Sequence, residues 1–344
     1  MSALIRVLVV DDSAFARKVV REMLSTAPDV EVVATARDGE EALELTATHH
    51  PDIVVCDLHM PKLNGVGFVQ RQMRIKPVPI LILSSAEQEA AEVFEALNAG
   101  AVDVVRKPSA LATEDLRGVQ DELLEKLRAA AGGSSQNLVD KPALKPLPAG
   151  VSPTGRFGIV VIGISTGGPQ ALRRMIPMLA ANFSTPIAIV LHMPVGYTAL
   201  YAEKLNEISE IDVKEAEDGD VLRPGLALVA QAGRHLGFRR REDGQVVARL
   251  LMHPLEKIHR PSVDVLFQSA SEVFRDRVLA VVMTGMGDDG CEGCAWVKAQ
   301  GGTVLTEDEK SCVIYGMPRS VKEAGLSDAV VPLDEMAQAL TNRT

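Results

Sequence analysis

Four cysteines in 344 residues are too few to staple a protein of this size. Their number excludes a disulfide framework and fits a reducing cytoplasm. Long apolar runs are also missing: the hydrophobic stretches break within about ten residues, half of what a helix needs to cross a bilayer. A secretory signal is not apparent, because MSALIRVLVVDDSAF carries its short apolar segment straight into two aspartates and reads as a first strand. Basic excess is absent from both halves. Residues 1–130 hold 14 Lys/Arg against 21 Asp/Glu, and residues 157–344 hold 19 against 24, within a net charge of −10. Nucleic-acid binding needs a basic face, so a DNA-binding output domain is excluded. The one basic run, Arg239-Arg240-Arg241, precedes Glu242-Asp243-Gly244 and reads as a solvated hairpin tip. No repeat of solenoid period interrupts the chain.

The composition is that of a soluble globular protein, 47% hydrophobic and 24% charged, and the length allows two cores. Between them, GGSSQNLVDKPALKPLPAGVSPTG carries four prolines, four glycines and three serines and has no apolar face to bury. It reads as a linker. The expected layout is a domain at 1–130, a flexible linker at 131–156 and a second domain at 157–344.

In the first domain, RVLVV (6–10), VEVVATA (30–36), DIVVCD (52–57), PILILSS (79–85) and VDVVRK (102–107) alternate with amphipathic stretches. That rhythm predicts an α/β fold, a five-stranded parallel sheet covered on both faces. Ligands then gather at the carboxyl ends of the strands. Asp11, Asp12, Asp57, Ser84 and Lys107 all fall there. Clustered carboxylates call for a hard cation, and one free carboxylate can attack phosphorus. A lysine and a hydroxyl would hold the oxygens of the transferred group.

The pattern DDS…D…S…KP resembles the flavodoxin-like receiver domain of two-component response regulators. The resemblance implies Asp57 as phosphoacceptor, a Mg²⁺ held by Asp11, Asp12 and Asp57, switch roles for Ser84 and Lys107, and a histidine kinase as phosphodonor. It also makes Lys107-Pro108 a candidate cis step.

The second domain resumes the rhythm with IVVIGIS, PIAIVLHM, GLALVA, VLAVVMTG and GTVLTED, plus a hairpin turning at Asp243-Gly244. It predicts a doubly wound, mainly parallel α/β unit. GISTG fits G-x-S-x-G, a strand-to-helix turn that exposes a nucleophilic hydroxyl. Phosphate-loop readings fail, because Ser165 stands where a dinucleotide fingerprint needs glycine and Pro169 where a Walker loop needs lysine. A serine needs a base, and His192, at the end of the neighbouring strand run, is the best placed of seven histidines. For an orienting acid the residues alone leave Asp288, Asp289 and Asp264 open, with Asp264 reading as a helix cap. Cys291 and Cys294 form C-x-x-C, but structural zinc takes four ligands and no second such pair exists, so they read as small buried side chains.

GISTGG, LHMP, EDGDVLRPG, GRH, RPSVD, TGMGDDG and SCVIYGMPR together resemble the catalytic domain of the chemotaxis receptor methylesterase family. The resemblance covers roughly 157–340, and the receiver-linker-esterase order is that family's. It implies a cytoplasmic hydrolase for γ-glutamyl methyl esters and glutamines of methyl-accepting chemoreceptors, activated by phosphorylation and needing no cofactor for ester hydrolysis. Its motif makes Ser165 the nucleophile, His192 the base and Asp289 the acid. The Met286 N–H becomes an oxyanion donor and Thr166 a support for the imidazole. A non-catalytic, phosphorylation-controlled receptor adaptor is the competing class. No nucleic acid and no membrane insertion are expected.

Overall fold

The computed structural model describes residues 4–85, 89–107, 115–132 and 155–344. It divides into two compact units, Met1–Lys141 and Pro142–Thr344. The helix Asp115–Gly132 enters the stretch expected to be linker. Residues 133–154 lie outside the described residues, as does Pro108 and with it the expected cis step.

In the first unit, β1 (Ile5–Val10), β2 (Val30–Ala36), β3 (Ile53–Asp57), β4 (Ile80–Ser84) and β5 (Asp103–Arg106) form one parallel sheet ordered β2-β1-β3-β4-β5. Each strand lies within one residue of an expected run. Every residue of β3 and β4 is buried, as a sheet covered on both faces requires. Ser13, Asp38 and Asn64 accept backbone N–H groups at the starts of the helices Ala14–Ser25, Gly39–His49 and Gly65–Ile75. These caps set where each crossover begins. From β1 the chain goes first to one side and then to the other, so a crevice opens beyond the ends of β1 and β3.

The second unit holds β6 (Ile159–Ile164), β7 (Ile187–Leu191), β8 (Asp212–Glu215), β9 (Leu226–Val229), β10 (His235–Arg240), β11 (Val246–Leu251), β12 (Val278–Val282), β13 (Thr303–Glu307) and β14 (Ala329–Val331). Seven of these form a wholly parallel sheet ordered β14-β13-β12-β6-β7-β9-β8. Connections leave β6 and β12 in opposite directions, which puts the switch-point crevice at their carboxyl ends. β10 and β11 form the expected antiparallel hairpin. Its loop runs from Arg241 to Gln245, with Gly244 in the left-handed region at φ 85°.

The sequence runs located β6, β7, β9, β12 and β13. They did not reveal β8 and β14, which are the two edges of the sheet. An edge strand is short and covered less fully, so DVKE needs no apolar run and AVV is too short to stand out as one. The helix Val263–Phe274 buries Val263, Leu266, Phe267 and Ala270 in a core shared with β6 and β12. Cys294 belongs to that core, all four thiols are free, and burial pushes the Cys294 thiol well up. Among the described residues no helix is long and apolar enough to cross a membrane.

Candidate active site

Every residue of β6 is buried, and the strand breaks into Ser165-Thr166-Gly167. Gly167 has φ 81°, and a Cβ there would meet Val313 at 2.7 Å, so the turn needs glycine. Its tightness shows in the Gly168 N–H to Ser165 carbonyl bond of 2.7 Å. The helix Gly168–Met175 opens immediately, with Pro169 in its first turn. The positive end of that helix lies close behind Ser165, where it favours developing negative charge.

β7 pairs with β6 in a register that sets Leu191 against Ile164. Ser165 and His192 therefore hold equivalent positions just past neighbouring strands, whose backbones run about 4.8 Å apart. The His192 N–H donates back to the Ile164 carbonyl at 3.2 Å. Its Nε2 lies 3.0 Å from Asp289 Oδ2, while Nδ1 is buried without a hydrogen-bond partner. A carboxylate on Nε2 selects the tautomer with its proton there, which leaves the Nδ1 lone pair free. The ring of His259 stacks on that of His192 with centroids 4.2 Å apart.

Asp289 follows β12 and is held from several directions. Its Oδ1 accepts from Ser262 Oγ at 2.9 Å and from the Asp264 N–H at 3.1 Å, and its Oδ2 from the Val263 N–H at 2.8 Å. Burial works against its charge, but His192 and these N–H donors hold its carboxyl well below the usual carboxylate range. Asp288 is exposed. Asp264 does not cap its own helix, whose N-cap is Ser262. Instead its Oδ1 accepts the Gly290 and Gly293 N–H groups at the start of the helix Cys291–Ala299, and its Oδ2 takes Lys257 Nζ. Of the three acids left open by sequence, Asp289 is the one beside His192.

The turn after β12 closes the site from the other side. The Thr284 carbonyl accepts the Ser165 N–H at 3.0 Å, and Thr284 Oγ1 donates to the carbonyl of the buried Thr166 at 3.0 Å. A Cβ on Gly285 would stand 2.8 Å from the Ser165 Cβ and 2.3 Å from Met317 Sδ. Only glycine lets this backbone come so close, and Met286 follows it, partly exposed. Sequence reasoning missed Ser262, His259 and Glu307. RPSVD contained the first of these, but its contact with Asp289 spans 27 residues and leaves no local pattern.

In the first unit the carboxylate oxygens of Asp11, Asp12 and Asp57 lie within 4.8 Å of one another. Lys107 Nζ is 2.7 Å from Asp11 Oδ2 and 3.0 Å from Asp57 Oδ2. Burial pushes Asp57 up, with Lys107 pulling it down and Asp11 adding to the rise. An all-oxygen set on adjacent strand ends suits a hard divalent cation. Ser84 is also at this edge, but its hydroxyl donates to Glu89 Oε2. Glu89 in turn accepts from the Ser85 N–H and hydroxyl and lies 3.5 Å from His59 Nε2.

A parallel five-stranded unit with this acidic pocket, ahead of a larger α/β unit with its own polar crevice, defines a response regulator with an α/β output domain. Comparison with known proteins agrees and is more specific. Residues 7–117 match the response regulator receiver domain, and residues 160–340 match the CheB methylesterase model. The chain is 48% identical over 340 residues to the protein-glutamate methylesterase/protein-glutamine glutaminase 5 of Myxococcus xanthus, covering 98% of this chain and 97% of that one. A protein of the same name from Thermotoga maritima is 42% identical over 339 residues, with the same coverage. The crystal structure of the Thermotoga maritima CheB methylesterase catalytic domain superposes with a TM-score of 0.53 at 43% identity, covering 54% of this chain and 98% of that one. The chain belongs to the CheB methylesterase family.

Proposed function

We propose that this protein is a phosphorylation-activated protein-glutamate methylesterase and protein-glutamine deamidase acting on methyl-accepting chemoreceptors. The observation that carries the reading is the paired imidazole and carboxylate of His192 and Asp289, set one strand from a serine in a strand-to-helix turn.

In this reading the free nitrogen of His192 takes the proton of Ser165 Oγ as the oxygen attacks the γ-carbonyl carbon of a glutamyl methyl ester. Asp289 fixes the tautomer and stabilises the imidazolium. The Met286 N–H and the positive end of the helix Gly168–Met175 stabilise the tetrahedral oxyanion, and Thr166 supports the imidazole. Methanol leaves with the proton from His192. Water, activated by the same histidine, then releases the glutamate and restores the serine. With a glutamine substrate the leaving group is ammonia and the remaining steps are the same.

Asp57 is the phosphoacceptor, with a histidine kinase as donor. Asp11, Asp12 and Asp57 would hold Mg²⁺, which neutralises charge on the transferring phosphoryl group. Lys107 adds a second positive charge, and Ser84 exchanges its bond to Glu89 for one to a phosphoryl oxygen. A cytoplasmic setting fits four free thiols.

Methanol release from methylated receptor membranes, with and without acetyl phosphate, tests the whole reading. The intact chain should release methanol, faster with the phosphodonor, and Ser165→Ala should fall to background. Full release by Ser165→Ala would take Ser165 out of the reaction and overturn this reading.

A further inference from the structure

Glu307 is the last residue of β13 and is wholly shielded from solvent. A carboxyl group buried at the end of a parallel strand is costly unless its neighbours repay it with hydrogen bonds. Its Oε2 accepts the Thr284 N–H at 2.8 Å and its Oε1 accepts Ser311 Oγ at 2.9 Å. Cys312 also hydrogen-bonds to it, and the charge of Asp308 acts on it from nearby.

Thr284 is the more informative partner, because every polar group it has is committed. Its N–H goes to Glu307, its carbonyl receives the Ser165 N–H, and its hydroxyl joins the Thr166 carbonyl to the Ile314 N–H. One residue thus ties a buried acid to the turn carrying Ser165 and to the backbone leading into Met286.

We propose that Glu307 is a positioning residue for the esterase reaction, anchoring Thr284 so that Ser165 and the Met286 N–H keep the spacing the oxyanion requires. The inference rests on the catalytic reading above.

Burial pushes Glu307 up to about 7. The Thr284 N–H, Ser311 and Cys312 pull the other way, while Asp308 adds to the rise. The anchor therefore changes charge in the range where the enzyme would work. A charged acceptor holds an N–H roughly twice as strongly as a neutral one, so the grip on Thr284 tightens as pH rises.

The test measures kcat and KM for methanol release from methylated receptor membranes, using the full chain carrying Glu307→Gln or Glu307→Ala beside wild type. In Glu307→Gln the amide oxygen still meets the Thr284 N–H, but without charge. Its kcat should match wild type at about pH 6 and fall to about one-third to one-tenth of it by about pH 8, with KM unchanged. Glu307→Ala leaves the buried Thr284 N–H unpartnered, while Ser311 keeps the Asp308 carbonyl, and its kcat should drop about 100-fold at both pH values. A Gln-to-wild-type ratio that stays flat with pH overturns the proposal, as does a loss confined to KM. The Gln variant decides the matter even if the Ala variant fails to fold. Ser165→Ala runs alongside: if it keeps activity the catalytic reading has failed, and if it is dead while both Glu307 variants behave as wild type only the anchor has failed.

Discussion

Asp289 accepts the backbone N–H groups of Val263 and Asp264 at the start of the helix that carries Asp264. Asp264 in turn accepts those of Gly290 and Gly293 at the start of the helix that follows Asp289. Two helix N-termini are thus locked by an exchange of carboxylates, and one of those carboxylates also faces His192. Orientation of the candidate base and packing of the helix pair are consequently a single problem.

Replacing Asp264 by alanine removes a cap without touching His192. It should cost about 1–2 kcal/mol of stability, and kcat should fall modestly as Asp289 loses its neighbour. Asp289→Asn should lower kcat by about 10³–10⁴ through the wrong tautomer while the fold survives. Thermal melts beside methanol-release assays separate the two effects.

The lowered carboxyl of Asp289 also sets an acid limit. A group whose pKa falls on folding contributes stability in full above its unfolded value, near 3.9, and loses it as pH drops through the folded value. The stability gap between wild type and Asp289→Asn should therefore be widest near neutral pH. It should shrink below about pH 4. A gap that widens with acid would contradict the assignment.

Glu307 has the opposite sign. Its folded pKa of about 7 lies above the unfolded value, so the native state binds the extra proton. Its contribution to stability is greatest below about pH 4.5 and declines as pH rises through about 7. Glu307→Gln, which has no charge to bury, should be more stable than wild type by roughly 1–3 kcal/mol at about pH 8 and nearly equal to it in acid. Denaturant midpoints at several pH values would show this.

Gly285→Ala probes the close approach beside the candidate nucleophile. The added carbon would stand 2.3 Å from Met317 Sδ and 2.8 Å from the Ser165 Cβ, and both contacts are too close to persist. A displacement of this kind costs on the order of 10²-fold in kcat, with little change in KM. An unaltered kcat would mean that the displacement leaves the reacting groups in place and that this close approach is not required.

For the receiver pocket, Asp57→Ala should abolish stimulation by acetyl phosphate and leave the slow basal rate. Chelation of divalent metal should do the same to the intact chain, because the proposed Mg²⁺ on Asp11, Asp12 and Asp57 would offset the charge an anionic donor meets there. Intact-mass measurement of the phosphorylated fraction reads out both.

Most of the fold could be read from the sequence because central parallel strands must be apolar along their whole length. The three central strands of the receiver sheet and the five inner strands of the larger sheet were legible for that reason, while the edges β2 and β5 were legible through their β-branched runs VEVVATA and VDVVRK. DVKE and AVV were not, since an edge strand is defined by its neighbour and not by its own composition. The candidate nucleophile and base stood out as polar residues ending apolar runs. The acid did not: from the residues alone Asp264, Asp288 and Asp289 look alike, the family motif points to Asp289, and in the structure the 3.0 Å contact with His192 is what sets Asp289 apart. Ser262 and Glu307 stayed hidden because their partners lie 27 and 23 residues away.

Ser165, His192 and Asp289 hang from β6, β7 and β12, three adjacent strands in the interior of a seven-stranded sheet. The rims, β14 and β8, are the places where backbone amides can open and exchange with solvent at least cost. Breathing at the margins thus leaves the candidate triad undisturbed, and turnover in a denaturant titration should persist until the centre of the sheet itself gives way.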